Sequence, residues 1–348
     1  MNHPSLLAAF TLCCAALVGC SGHSVNLDQP AAAGAPSTNR MGDVVILQHG
    51  SDPIIGDLAV DDTRLYWATY GGRVQGCVKT DCANTVHTYA SHILQAEITL
   101  PARFVSASAG QVFWVAAEPA ATFYSCPSVG CVGAPTKIFR DPNATHGFVS
   151  DGDYTYWPSN IDLYRCKGAC GATPELVASG PAGLPLIAGE TAYWLGYVMD
   201  SASLKNVPAI RSVPKDGSAP ASLVAQLDLG SGAFALNADS LFWENSAAQI
   251  VSCPRADCSG TPTLVVDGAF AQDVGVDDGH VYWRDAAFAL HACTISGCTS
   301  PVAVSDGETQ AFVVDADYVY WTDSNENAPG SGAGFSGLNL HRLAKSAL

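Results

Sequence analysis

Ten cysteines in this sequence are placed where they could form covalent bonds with each other. They occur as five close pairs, four or five residues apart: Cys77/Cys82, Cys126/Cys131, Cys166/Cys170, Cys253/Cys258 and Cys293/Cys298. Facing positions in a β-hairpin hold two Cα atoms about 4.5–5.5 Å apart, which suits a disulfide. Such bonds persist in the oxidising compartments that exported proteins reach. The spacing therefore predicts five disulfide bonds.

Zinc binding and redox catalysis are the chemical alternatives for these cysteines. A zinc site draws four ligands together, often from two such pairs. Here about forty residues separate one pair from the next, and no histidine recurs beside them. Five equivalent copies without a CxxC motif also disfavour thiol redox catalysis. We expect no metal and no cofactor at these positions.

Other chemical motifs are weak. The stretch DSNEN (323–327) begins like a calcium loop but lacks glycine at the sixth position and glutamate at the twelfth. The sequence has no phosphate-binding loop and no nucleophile elbow of the G-x-S-x-G type. We therefore expect no catalytic residues from motifs alone.

The seven tryptophans indicate the elements that position these cysteines. Each tryptophan directly follows tyrosine or phenylalanine, and successive spacings range from 37 to 49 residues. The seven are Trp67, Trp114, Trp157, Trp194, Trp243, Trp283 and Trp321. This regularity predicts an internal repeat of about forty residues, with every tryptophan in an equivalent core position.

Each repeat contains four short apolar runs separated by Asp, Asn and Gly turns, which is typical of a four-stranded antiparallel meander. A repeated meander of this length predicts an all-β fold, a seven-bladed β-propeller, with six blades or a β-sandwich as alternatives. The cysteine pairs flank the loop between the third and fourth strands. In the two repeats without cysteine, Val213 and Leu343 stand at the first cysteine's place.

The stretch VYWTD (319–323) resembles the YWTD repeat of low-density-lipoprotein-receptor-type propellers, and a VD…YW pattern recurs from residue 58 to 323. The resemblance implies a propeller fold. Such propellers usually have six blades, whereas seven repeats are present here. The aspartate two places after the tryptophan, which in that family braces a neighbouring blade, occurs only at Asp285 and Asp323. The ligand chemistry of that family is not carried over.

The two ends of the propeller sequence complement each other. The seventh repeat lacks its outer strand, and an orphan strand DVVILQ (43–48) precedes the first repeat. We predict that this strand pairs beside residues 338–343 and closes the ring, because an unpaired edge would invite aggregation.

The N-terminus has the pattern of an export signal. A short apolar stretch ends in Leu17-Val18-Gly19-Cys20, which resembles the bacterial lipobox. The resemblance predicts a lipoprotein signal peptide at residues 1–19 and lipid on Cys20. A tether over 20–42, rich in Ala, Gly, Pro and Ser, then leads to a propeller domain at 43–348. The expected location is the bacterial cell envelope, with Ser21 compatible with the outer membrane, on its periplasmic or surface side.

The amino-acid composition limits the classes of partner that the protein could bind. The net charge of −16 argues against nucleic acid, because phosphates are bound by Lys and Arg. A lipid chain on Cys20 would supply the membrane contact instead. No later stretch is long and apolar enough to span a bilayer. We expect a monomer held at the membrane by its anchor.

Function is expected in the long loops on one face of the propeller. These are the stretches 195–208, 322–337 and 91–102. The leading hypothesis is a non-catalytic module that binds a protein, peptide or glycan. One alternative is a metal-dependent propeller hydrolase or lyase, lactonase-like, that would use His49, His92 and His146 from connections between blades. The other is a structural subunit of an envelope assembly.

Overall fold

The structure is a computed structural model. It describes residues 45–49, 54–69, 72–91, 105–116, 120–144, 147–168, 170, 174–200, 205–305, 308–324 and 338–348. They all belong to one compact unit, Ser37–Leu348. In this part of the chain the strands form seven four-stranded antiparallel sheets arranged in a ring. The all-β, seven-bladed propeller is therefore confirmed, and the six-bladed and sandwich alternatives are wrong.

The last blade is completed by the first described strand, as the sequence predicts. Strand β1 (Val45–His49) pairs antiparallel with β28 (Leu338–Ala344), the last strand of the chain. Leu47 of β1 is buried against Leu58 and Trp67 of the first blade and against Leu340. The closing strand therefore links the last blade to the first through both hydrogen bonds and apolar packing.

The first three blades use consecutive strands. Blade 1 contains β2 (Ile54–Val60), β3 (Arg64–Thr69), β4 (Val74–Val78) and β5 (His87–Ala90). Blade 2 contains β6 (Val105–Ser108), β7 (Gln111–Ala116), β8 (Ala121–Pro127) and β9 (Thr136–Asp141). Blade 3 contains β10 (Val149–Ser150), β11 (Tyr154–Ser159), β12 (Asp162–Lys167) and β13 (Glu175–Ala178).

Blades 4 to 6 follow the same order, and blade 7 combines three strands with β1. Blade 4 contains β14 (Leu186–Ala188), β15 (Thr191–Asp200), β16 (Lys205–Pro214) and β17 (Ser222–Gln226). Blade 5 contains β18 (Leu229–Leu236), β19 (Ser240–Asn245), β20 (Ile250–Pro254) and β21 (Thr263–Val266). Blade 6 contains β22 (Asp273–Val276), β23 (His280–Arg284), β24 (Leu290–Thr294) and β25 (Val302–Ala303). Blade 7 contains β26 (Thr309–Val314), β27 (Tyr318–Ser324), β28 and β1. Single turns of 3₁₀-helix occur at Cys82–Asn84 and Lys345–Ala347.

All seven tryptophans lie on the second strand of a blade and are at most 3% exposed. The residue opposite the tryptophan on the third strand carries an aromatic ring or a guanidinium in five blades: Tyr124, Tyr164, Arg211, His291 and His341. Each of these groups packs against the indole. Cross-strand pairs of this kind stabilise a sheet. The seven tryptophans therefore occupy equivalent buried positions on the second strands.

Candidate functional site

The antiparallel order of each blade places its connections alternately at the two ends of the sheet. The turns between the first and second strands and between the third and fourth strands lie at one end, which we name the disulfide face. The turns between the second and third strands and the connections between blades lie at the other end, which we name the loop face. These two faces differ in what they could bind.

The disulfide face carries the five predicted bonds. They are Cys77–Cys82, Cys126–Cys131, Cys166–Cys170, Cys253–Cys258 and Cys293–Cys298, with Cα separations between 4.8 and 5.5 Å. In the two blades without a disulfide, Val213 lies opposite Ala192 and Leu343 opposite Val319. These are the positions that the first cysteine occupies elsewhere, for example Cys253 opposite Leu241. An aliphatic side chain therefore fills the same buried position, as the sequence indicates.

Three lysines on the disulfide face reach from one blade to an aspartate of the preceding blade. Each lysine stands two residues after the first-cysteine position. Its partner aspartate opens the turn between the first and second strands. The pairs are Lys215–Asp151 at 2.7 Å, Lys345–Asp277 at 2.5 Å and Lys79–Asp315 at 2.6 Å. They join blade 4 to blade 3, blade 7 to blade 6 and blade 1 to blade 7.

The aspartates of these pairs are held in their ionised form. Burial acts to raise the pKa of Asp277, but hydrogen bonds from Lys345, from Tyr282 and from backbone N–H groups outweigh it. The net effect lowers the pKa below its usual 3.8. The same balance, with a lysine as hydrogen-bond donor, lowers the pKa of Asp151 and of Asp315. Burial and the nearby Asp277 carboxylate raise the pKa of Tyr282 well above 10.0.

A cavity of about 520 Å³ lies at the disulfide face, lined by residues of the first strands of blades 2 to 5 and of the adjoining turns. Its polar side chains already bond across blades: Ser106 Oγ and Ser108 Oγ of blade 2 donate to the carbonyls of Ser150 and Asp151 in blade 3. Leu186, Ile187 and Leu236 form its apolar side. The polar groups of this cavity thus stabilise the ring.

The loop face carries the exposed aromatic surface. Among the described residues, the exposed large apolar side chains on the loop face are Ile161, Tyr197, Met199, Phe270 and Phe288. Those on the outer strands are Leu176, Leu223 and Leu264, and those on the disulfide face are Val86, Val129 and Val132. Every exposed large aromatic side chain in the described part therefore lies on the loop face. Aromatic residues and methionine are enriched at the centres of protein interfaces.

In the stretch 195–208, expected as a loop, residues 195–200 and 205–208 are strand, so the expectation is wrong for them, and residues 201–204 lie outside the described residues. Strands β15 and β16 pair over their full ten residues, from Thr191↔Pro214 to Asp200↔Lys205. The innermost strand β14 covers only residues up to Tyr193, so the hairpin continues beyond its neighbours. Tyr197 and Met199 are two residues apart and therefore lie on the same side of this hairpin, half or more exposed. The length of the fourth repeat does not reveal this, because extra residues could lengthen either a loop or two paired strands.

A turn on the loop face recurs in three blades with a left-handed residue five positions after the tryptophan. That residue is Gly72 in blade 1, Ala248 in blade 5 and Phe288 in blade 6, with φ of 76°, 58° and 63°. In blades 5 and 6 the side chains of Asn245 and Asp285 accept two backbone N–H bonds that shape the turn. Glycine adopts this conformation freely, whereas other L-residues lose about 1–2 kcal/mol. Phe288 is 42% exposed, so burial offsets only part of that loss.

A second left-handed phenylalanine lies in the connection between blades 5 and 6. Phe270 has φ of 47° and is 60% exposed. Its connection is bonded at both sides: the Ala269 N–H donates to the Ala248 carbonyl, and the Gln272 N–H donates to the Arg284 carbonyl. The buried Glu244 carboxylate also accepts the Ala271 N–H at 2.7 Å. The backbone around Phe270 is therefore held in place.

The two aspartates of the YWTD-like motif bond within their own blades. Asp285 Oδ2 lies 2.9 Å from His291 Nε2, and Asp323 Oδ2 lies 2.7 Å from His341 Nε2. In both blades the histidine is the residue stacked on the tryptophan. Burial acts to raise the pKa of both aspartates, and the histidine hydrogen bonds outweigh it and lower the pKa. Among the described residues, the side-chain partners of both carboxylates lie within their own blades, whereas the receptor family implies bracing of a neighbouring blade.

Several residues named in the sequence predictions lie outside those that the structure describes. His92, His146, Cys20, the signal peptide and the tether all lie outside the described residues. His49 is the last residue of β1 rather than part of a connection, and its side chain is outside the description. In the calcium-like stretch, Asp323 and Ser324 belong to β27, and the remainder lies outside.

The described part offers no metal site and no membrane span. It contains no group of three or more His, Cys, Asp or Glu side chains arranged to hold a metal ion. Over the same ranges, no helix has the length and apolar character needed to cross a bilayer.

The exposure of Phe270 and Phe288 and the lysine–aspartate pairs between blades were not predicted from the sequence. When the repeats are aligned on their tryptophans, glycine and alanine occupy the position of Phe288 in blades 1 and 5, so the phenylalanine is unusual there. The same alignment places the three lysines in one equivalent position, two residues after the first-cysteine position.

Comparisons with known proteins show the fold. No protein-family model matches the sequence, and no curated protein matches it. Among solved structures, BamB from Moraxella catarrhalis is similar at TM-score 0.51 and 12% identity, covering 83% of each chain. The WD40 β-propeller domain of Doa1 is similar at TM-score 0.52 and 8% identity, covering 87% of this chain and 98% of that one. A gluconolactonase from Xanthomonas campestris reaches TM-score 0.46 at 12% identity, covering 90% and 96%, a similarity too low to argue from. The likeness to BamB and to the Doa1 domain shows the β-propeller fold alone.

Proposed function

We propose that this protein is a lipid-anchored propeller of the bacterial cell envelope that binds a partner protein through its loop face without catalysis. The observation that carries the proposal is the distribution of exposed apolar groups. Both exposed phenylalanines, the exposed tyrosine and the exposed methionine of the described part lie on that one face. Clusters of such side chains on a rigid scaffold mark protein-binding surfaces.

The disulfide face supports the proposal by its different construction. Its ten described cysteines are bonded in pairs, and three of its lysines are bonded to aspartates of neighbouring blades. These groups stabilise the ring and hold the connections of the loop face on a stiff frame. The five disulfides are also compatible with a compartment outside the cytoplasm.

Site-specific photo-crosslinking in intact cells tests the binding face. A benzoyl-phenylalanine crosslinker at the position of Ile161 or Tyr197 should form a discrete adduct with another protein. Matched controls place it at Leu223 on an outer strand and at Val132 on the disulfide face. Adducts of equal yield from all four positions, or none from the loop face, would reject the proposed binding face.

Lipid anchoring is tested separately. Radiolabelled palmitate should be incorporated into the wild-type protein and not into the Cys20→Ala variant, which should leave the membrane fraction. Equal labelling of the two proteins would show that Cys20 is not the anchor.

A further inference from the structure

The geometry points to a specific docking site on the loop face for a basic segment of a partner protein with apolar side chains, anchored on Phe270 and Phe288. This inference rests on the proposed function and names the chemistry of the partner. The site comprises the two phenylalanines and the carboxylates that flank them, Asp228, Asp267, Asp285 and Glu308. We name it the acidic aromatic patch.

The two phenylalanines are its apolar anchors. Both side chains are exposed while their backbones are held in the left-handed region, at φ of 47° and 63°. The same turn in blades 1 and 5 has glycine and alanine at the position of Phe288, so the turn itself has no need of an aromatic side chain. A bulky residue that lowers stability at an exposed position is typical of a functional site.

The ring of Phe288 is held in a defined position. The guanidinium of Arg284 lies 5.4 Å from the ring centroid, and Arg284 Nη1 donates to the carbonyls of Thr309 at 3.1 Å and Gln310 at 2.8 Å. The Thr309 N–H in turn donates to the Phe288 carbonyl. A ring restrained before binding loses less entropy when a partner covers it.

A short series of hydrogen bonds connects the segment around Phe270 to two carboxylates. Phe270 lies beside the turn of blade 5, since the Ala269 N–H bonds to the Ala248 carbonyl. Within that turn, Ser246 Oγ donates to Asp228 at 2.5 Å, and Gln249 Nε2 donates to Asp267 at 2.9 Å. Both of these aspartates are exposed.

Carboxylates also flank Phe288. Asp285 begins its turn and accepts the Ala287 and Ala289 N–H groups. Glu308 is exposed and directly precedes Thr309, which bonds to Phe288. Arg284 is the cation within this group, and its guanidinium faces two carbonyls and the ring. The patch contains four carboxylates and one guanidinium, so its net charge is negative. The net charge of the whole chain is also negative, at −16.

Charge and apolar surface together select the occupant. A negative surface attracts lysine and arginine and repels an anionic lipid surface or nucleic acid. The exposed rings require apolar side chains between those charges. The occupant is therefore a partner segment in which basic and apolar residues alternate or adjoin.

Selection from a phage-displayed library of random decapeptides on the purified full-length protein tests the site. Enriched peptides should combine Lys or Arg with large apolar residues. A synthetic copy of one such peptide, followed by fluorescence anisotropy, should bind about tenfold more weakly to the Phe288→Gly variant. Binding should also weaken several-fold between about 50 mM and about 500 mM sodium chloride. Failure to enrich any peptide, or enrichment of acidic or uncharged ones, would overturn the inference.

A stability measurement separates this role from a structural one. Phe288→Gly should raise the melting temperature by roughly 2 °C, because it removes the left-handed strain. Ala109→Gly is the matched control: Ala109 has φ of 50° in a turn of the disulfide face. It should raise the melting temperature and leave peptide binding unchanged. If Phe288→Gly lowered the melting temperature or left binding intact, Phe288 would not be an anchor. Loop-face crosslinks at Ile161 and Tyr197 would then still support the proposed function.

Discussion

Lys79 and Asp315 are 236 residues apart in the sequence, and Lys79 Nζ lies 2.6 Å from Asp315 Oδ2. The pair joins the first blade to the last on the disulfide face. Both side chains are mostly buried, at 15% and 12% exposure. Asp315 also accepts the Tyr320 hydroxyl and the backbone N–H groups of Asp317 and Tyr318. Ring closure therefore uses an ion pair in addition to the closing strand.

Removing the lysine of this pair should destabilise the propeller. Lys79→Met leaves the Asp315 carboxylate without its cation, and we expect a loss of about 1–3 kcal/mol in the free energy of unfolding. Urea denaturation at neutral pH measures it. Lys137→Met, at an exposed lysine of β9, is the control and should change the stability little. A loss no greater than that of the control would show that the pair does not stabilise closure.

Acid should weaken the links between blades. Asp151, Asp277 and Asp315 have pKa values lowered in the folded protein from the usual 3.8. A lowered folded pKa means that the stabilisation is present above the unfolded value and is lost as pH falls through the folded value. We expect unfolding free energy to decline below about pH 4, measured by urea denaturation across a pH series.

The Lys79→Met variant provides the control for this pH dependence. Its deficit relative to wild type should shrink as pH falls below about 4, because protonated Asp315 no longer needs the cation. A deficit that stayed constant down to the acid transition would mean that the ion pair is not the titrating link.

The disulfides should stabilise blades locally without being required for the fold. Blades 4 and 7 hold Val213 and Leu343 where other blades hold the first cysteine, and both side chains are buried. We expect Cys253→Val combined with Cys258→Ala to fold and to lose about 2 kcal/mol or less, since its loop is short. Chemical denaturation measures the loss. A double variant that failed to fold would show that this disulfide does more than close a hairpin.

The closing strand should matter to the whole domain. Deleting residues 45–49 exposes the edge of β28 and removes buried Leu47, so we expect a lower melting temperature and self-association. Leu47→Ala separates the two effects, because it removes apolar packing alone and should cost about 2–4 kcal/mol. Calorimetry and gel filtration are the measurements. A melting temperature unchanged by the deletion would disprove closure by this strand.

Patterns that are local and repeated made much of this fold predictable. In each repeat, a Trp that follows Tyr or Phe marks the same buried position on the second strand. This position could be recognised because the alternation of side chains along a strand and the turns that bound it depend on only a few neighbouring residues. Cysteines four or five residues apart can reach each other only across a tight turn. The strand predicted at 43–48 could be assigned to blade 7 because the seventh repeat lacks its outer strand and this strand precedes the first repeat.

The sequence by itself determined the seven blades, the disulfide pairs and the closing strand, since each depends on short-range geometry or on counting repeats. Only the tertiary structure decided that Lys79 reaches Asp315, that residues 195–200 and 205–208 belong to paired strands, and that Phe270 and Phe288 are exposed on one face. Such features depend on how blades are placed around the axis, which no local pattern encodes. A phenylalanine in a left-handed turn is also contrary to local preference, so its conformation is known only once the surrounding hydrogen bonds are in place.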